Sequence, residues 1–346
     1  MSRTTGALAL LVILALGACK NLNESTSGSG PGLFLGAALD GYPITLPRLY
    51  EVQDELGIFP SMVVFFLQWP SQPGTGHFPL ETLHAVDTFG ALPCVTWEPM
   101  YMHGDQENVI LAERILGGEY DPYIRDFARS AREYGGPFLM RFAHEMNLSR
   151  YHWGTTAERY GPDSPALYRE MFQYVVRMFQ EEGANNVLFV FCPNAESIPH
   201  PIWNEKGEWN TAAAYYPGHD YVDVLGLDGY NWGITQNKEE HGWDSTFRSF
   251  EDIMAPMHEE LRALAPEKPI VVFETASTEL GGDKSVWIRH AVRTMEAWGV
   301  AGFVWFEADK EVDWRLGTGT DDQIFDFLMK RISRQARDVL ITPRLP

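Results

Sequence analysis

Eight short apolar runs separated by stretches of helical length recur along the whole chain. They cover residues 33–40, 62–69, 92–98, 138–145, 187–194, 222–230, 269–275 and 301–307. Runs of this length, rich in β-branched and aromatic residues, suit strands buried on both faces, as in a parallel sheet. Between them, 123–134 places Ile124, Phe127, Ala128 and Ala131 on one helical face. Residues 165–182 do the same with Leu167, Met171, Val175, Met178 and Phe179, and 247–264 and 286–298 follow the rule. Gly135, Gly183 and Gly299 stand where such helices should stop. Strand and helix alternating eight times predict a single-domain α/β fold, a (β/α)8 TIM barrel spanning 33–346. A doubly wound open sheet is the competitor, but no Gly-x-Gly-x-x-Gly turn follows the first strand.

A barrel of this kind carries its chemistry at the C-terminal ends of the strands. Those ends are polar and aromatic here: Asp40, Trp69, Trp97-Glu98, His144-Glu145, Asn194, Asp228 with Tyr230, Glu274, and Trp305 with Glu307. Two glutamates near the ends of these runs suggest a specific chemistry, Glu145 on the fourth strand and Glu274 on the seventh. Hydrolysis of a glycosidic bond with retention needs two carboxyl groups about 5–5.5 Å apart, and strand ends of one barrel are a way to supply them.

The net charge of -20 and the lack of any Lys/Arg cluster argue against nucleic acid. Apart from Cys19, the cysteines are Cys94 and Cys192, both inside apolar runs, and they read as buried free thiols. His144-Glu145 lacks the second histidine of a His-Glu-x-x-His site, and His152 is off any simple ligand spacing. No metal or cofactor is therefore expected. The N-terminus carries Arg3 and an apolar run over 7–18, too short to span a bilayer. Leu16-Gly17-Ala18-Cys19 resembles a bacterial lipobox, which implies a signal peptide over 1–18 and a lipid on Cys19. The Gly/Ser-rich stretch 19–32 would tether the body to a membrane face of the bacterial envelope, anchored rather than spanning.

The segment Arg141-Phe-Ala-His144-Glu145-Met-Asn147, followed by Trp153-Gly154, resembles the His-Glu-Met-Asn motif of glycoside hydrolase family 26. Segments 224–233, 268–277 and 303–314 are similar to that family's sixth, seventh and eighth strands. The resemblance implies an acid/base at Glu145 and a nucleophile at Glu274, as in clan A retaining enzymes. It implies a polysaccharide substrate, a β-1,4-linked mannan or a mixed-linkage β-1,3-1,4-glucan, with β-1,3-xylan or a bacterial exopolysaccharide as alternatives. Leu148 and the run Val95-Thr96-Trp97-Glu98-Pro99 depart from the mannanase pattern near the sugar subsites.

A nucleophile must be ionised, and Arg141 and Tyr230 are the expected donors to Glu274. The pKa of Glu145 is expected to rise through burial and the neighbouring anion. His144 is expected to bind sugar, Trp305, Trp97 and Trp153 to wall the subsites, and Asn194 and Asp228 to support them. Trp203, Trp209, Trp232 and Trp243 lie in the long loops after strands five and six. The chain is expected to act as a monomer. A lipoprotein that binds glycans without cutting them is the competing class.

Overall fold

The computed structural model describes residues 32–341. The expected signal peptide, Cys19 and nearly all of the tether lie outside the described residues. Eight parallel strands close into a barrel: β1 (Phe34–Leu39), β2 (Met62–Gln68), β3 (Leu92–Glu98), β4 (Phe138–Phe142), β5 (Val187–Phe191), β6 (Val224–Asn231), β7 (Ile270–Ser277) and β8 (Gly302–Phe306). Each strand pairs with its neighbours in sequence, and β8 returns to β1 in a register running from Phe34↔Gly302 to Ala38↔Phe306. Closure leaves no free sheet edge. At that seam Gly302 allows close packing, since a Cβ there would sit 2.4 Å from the Phe34 ring.

The helices form where apolar spacing and stop signals coincide. Helix Asp121–Tyr134 buries Tyr123, Ile124, Phe127, Ala128 and Ala131, and ends at Gly135 with φ 71°, a left-handed cap that glycine adopts without steric cost. Helices Ser164–Glu181, Phe250–Leu264 and Lys284–Trp298 start and stop within three residues of the expected bounds, the last two N-capped by the Ser249 and Asp283 side chains. Among the described residues no helix is long and apolar enough to cross a membrane.

Three local departures from regular structure aim the site. First, β4 stops at Phe142, and Ala143 and Glu145 take left-handed φ values of 49° and 50°. L-residues rarely adopt that conformation, so the barrel around the turn holds it against a local cost. Second, β7 carries a one-residue bulge: Leu227 pairs with Val272 but Asp228 with Glu274, and Phe303 pairs with Val272 but Trp305 with Thr275. The extra residue re-aims Glu274 relative to a regular strand. Third, β3 is followed by a hairpin, Met100–His103 paired with Gln106–Val109, which the apolar runs did not indicate and which brings Glu107 to the barrel mouth.

Candidate active site

Arg141 on β4 is fully buried inside the barrel. Its guanidinium donates to Asp228 Oδ2 at 2.6 Å, to Thr96 Oγ1 at 3.0 Å and to Glu274 Oε1. Burial works against its charge, and the Asp228 and Glu274 carboxylates outweigh it, holding the group as a cation. The Tyr230 hydroxyl donates to the other oxygen, Glu274 Oε2, at 2.5 Å. Burial, then Glu274, keep that phenol well above its usual range, so it remains a donor. Both oxygens of Glu274 are thus held by donors fixed to other strands.

Glu145 takes a different environment. Its Oε1 accepts from Asn194 Nδ2 at 2.7 Å. Burial pushes its pKa up to about 7, the Glu274 charge adds to the rise, and the Asn194 hydrogen bond opposes it. One carboxyl held by a cation and a phenol, and another held near neutrality, is the division between a nucleophile and a proton donor. The turn that presents Glu145 is pinned on both sides. Its N–H donates to the Cys192 carbonyl at 2.7 Å, and Asn147 exchanges hydrogen bonds with the Asn194 backbone at 2.8 and 2.9 Å. His144 is buried beside it, and burial and then Arg141 hold its pKa well below the usual range, leaving a neutral imidazole.

These groups open into a cleft of about 790 Å³. Its floor holds Glu98, His144, Glu145, Asn194, Tyr230 and Glu274. On the β6–β8 side Trp314 packs against Tyr230 at 5.1 Å between ring centroids. Trp232 stands edge-on to Trp314 at 4.9 Å, and Trp243 follows at 6.1 Å. This row of rings leads outward from Glu274. The β2–β4 side presents Phe66 and Tyr151. Planar apolar faces beside polar groups suit sugar rings, which offer C–H faces and hydroxyl edges.

The structure sorts the expected residues into three layers. His144, Tyr230 and Asn194 line the cleft with the two glutamates. Arg141 and Asp228 lie beneath the floor, fully buried. Trp97, Trp153 and Trp305 lie behind the walls rather than in them, each at most 2 % exposed. Strand alternation is the reason for two of these. Thr96 and Glu98 face into the barrel, so Trp97 points outward to the helices, where its indole donates to Tyr123 Oη at 3.1 Å. Phe306 faces the cleft, so Trp305 faces away, and its indole donates to the Trp314 carbonyl at 2.8 Å. Trp153 stacks on Tyr151 at 5.1 Å and donates to the His144 carbonyl at 2.5 Å. Glu307 is turned aside as well, accepting from the Leu316 N–H at 2.9 Å. Phe66, Tyr151, Phe306 and Trp314 were not singled out in advance. Of the four loop tryptophans, Trp232 and Trp243 line the cleft, while Trp203 is 83 % exposed. Cys94 and Cys192 are free and buried, and burial pushes the Cys94 thiol up to about 12.

A closed parallel barrel with an aromatic-walled cleft and two differently held glutamates, one just past β4 and one in the C-terminal half of β7, defines the class, a (β/α)8 protein with a carbohydrate-type cleft. The model of glycosyl hydrolase family 26 matches residues 112–248. Endoglucanase H of Acetivibrio thermocellus is 31% identical over 239 residues, covering 68% of this chain and 24% of that protein. A mannan endo-1,4-beta-mannosidase of Bacillus subtilis is 26% identical over 161 residues, covering 45% of this chain and 41% of that protein. The chain therefore spans well under half the length of these curated relatives. Among solved structures, the GH26 beta-mannanase of Bacteroides ovatus superposes with a TM-score of 0.58 at 19% identity, covering 88% of each chain. The YdhT protein of Bacillus subtilis superposes at 0.62 and 16% identity, covering 91% of each. The chain belongs to glycoside hydrolase family 26.

Proposed function

We propose that this chain is a retaining endo-β-glycanase, cleaving β-1,4 linkages in a gluco- or manno-configured polysaccharide, a mixed-linkage β-1,3-1,4-glucan or a mannan. The observation that carries the reading is the asymmetric pair: Glu274 held by Arg141 and Tyr230, Glu145 held near neutrality across the same floor. In the first step Glu274 attacks the anomeric carbon while Glu145 gives its proton to the departing glycosidic oxygen. The sugar alcohol leaves and an ester joins the glycone to Glu274. Esterification removes the Glu274 charge, which is one cause of the raised Glu145 pKa. Glu145 then fits its second role, taking a proton from the water that attacks the same carbon and frees Glu274. Two inversions give net retention.

The names of the relatives, an endoglucanase and mannan endo-1,4-beta-mannosidases, support the two substrate classes. The open cleft and its outward row of tryptophans support internal cleavage of a chain. Mixed-linkage glucan, glucomannan, galactomannan, xylan and curdlan, offered to wild type and Glu274→Ala, test the reading. Oligosaccharide release by wild type alone is expected, with first-formed products of β configuration by proton NMR. Equal release by the variant, or first-formed α product, overturns it.

We propose further that Cys19 is lipid-modified and holds the enzyme on a membrane face of the cell envelope, a reading supported by Leu16-Gly17-Ala18-Cys19. Radiolabelled palmitate should enter the wild-type protein and not Cys19→Ala, and label in both would end the idea.

A further inference from the structure

The floor of the cleft holds a third carboxyl that the double displacement does not use. Glu98 ends β3, is 4 % exposed and lines the cleft with Glu145 and Glu274. Its backbone is fixed, with the carbonyl accepting from Trp69 N–H at 2.9 Å and the residue paired in register with Gln68 of β2. Its carboxyl, by contrast, receives no hydrogen bond from the described residues. Four acids, Glu98, Glu145, Asp228 and Glu274, are buried around the buried cation Arg141, whose donors go to Thr96, Asp228 and Glu274. Among the described residues Glu98 has no ion-pair partner. Its carboxyl opens into the cleft, so a ligand or water there can supply the partner that the protein does not.

We propose that Glu98 is a substrate-recognition residue, its carboxyl hydrogen-bonding a hydroxyl of the sugar seated on the β2–β4 side of the cleft. Burial pushes its pKa up to about 7, against Arg141 and together with the Glu274 charge. Below about pH 7 it therefore offers both an O–H donor and a carbonyl acceptor, the pair of functions a sugar hydroxyl also carries. A rigid hydrogen-bonding group of this kind rejects a substrate whose hydroxyl is missing or reoriented, because the site's own polar atom is then stranded.

The inference rests on the retaining hydrolase reading, so its test keeps the two apart. Glu98→Ala, Glu98→Gln, Glu145→Ala and Glu274→Ala are assayed on 2,4-dinitrophenyl β-cellobioside and β-mannobioside and on the polysaccharides above, with azide added in parallel. Glu98→Ala should lower kcat/KM by about 10- to 100-fold, the range for losing one buried hydrogen bond. Glu98→Gln, which keeps a donor and an acceptor, should recover most of that loss. The alkaline limb of the pH profile should survive in both, and azide should yield a glycosyl azide with Glu145→Ala but not with either Glu98 variant. Three results would overturn the role: Glu98→Ala within twofold of wild type, Glu98→Gln as impaired as Glu98→Ala, or azide product from a Glu98 variant. Activity surviving in Glu274→Ala sinks the underlying double-displacement reading instead.

Discussion

Tyr230 donates a 2.5 Å hydrogen bond to Glu274 from the neighbouring strand β6, and its ring packs on Trp314. One side chain thus touches the proposed nucleophile and the aromatic wall. Tyr230→Phe keeps the ring contacts and removes only the hydroxyl. Loss of a hydrogen bond to a charged group is worth about 1.5–3 kcal/mol, so kcat/KM should fall roughly 10- to 100-fold with little change in the thermal unfolding midpoint. A variant as active as wild type would show that the phenol does not help to hold Glu274 for attack.

The proposed proton donation by Glu145 sets a pH limit. In that role the free enzyme needs the group protonated, and burial pushes its pKa up to about 7, so kcat/KM should fall as pH rises through that value. The Asn194 hydrogen bond favours the carboxylate and lowers the pKa. Asn194→Ala should therefore move the alkaline limb to higher pH. A limb that stays in place or moves down in the variant contradicts this account.

Arg141 is a structural risk as well as a functional aid. Removing its cation leaves Asp228 and Glu274 buried and uncompensated. Breaking a buried pair from one side costs about 3–5 kcal/mol, so Arg141→Met should lower the urea midpoint sharply. Unchanged stability together with lost activity would confine Arg141 to chemistry.

Trp305 acts through the loop that it anchors. With Lys284 Nζ donating to the Arg315 carbonyl at 2.7 Å and Glu307 accepting from Leu316, its indole fixes the strand-to-loop turn that presents Trp314. Trp305→Phe should raise KM several-fold for long oligosaccharides through misplacement of Trp314, and cost about 1 kcal/mol of stability. Trp314→Ala should raise KM further. A normal KM in the first variant would detach the loop from substrate binding.

The eight strands, the main helices and the two glutamates were legible because they depend on local pattern. Apolar runs of strand length, amphipathic spacing as in 123–134 and glycine stops follow from burial and backbone freedom that each segment carries by itself. Which tryptophans face the sugar was not legible in the same way. Trp97, Trp305 and the residues beside them all lie in strands buried on both faces, so hydrophobicity gives no sign of which side is inward.

Sequence alone determined the order of the barrel and the strand ends at which its acids stand. The tertiary structure decided how those acids are aimed and charged. The bulge at Phe273–Glu274 and the left-handed turn at Ala143 and Glu145 cost local energy, and the surrounding strands hold them. The pKa of Glu145 reflects burial and the charge of Glu274, a residue distant in the chain. Aim and charge are properties of long-range packing, because each depends on groups that meet only when the barrel closes.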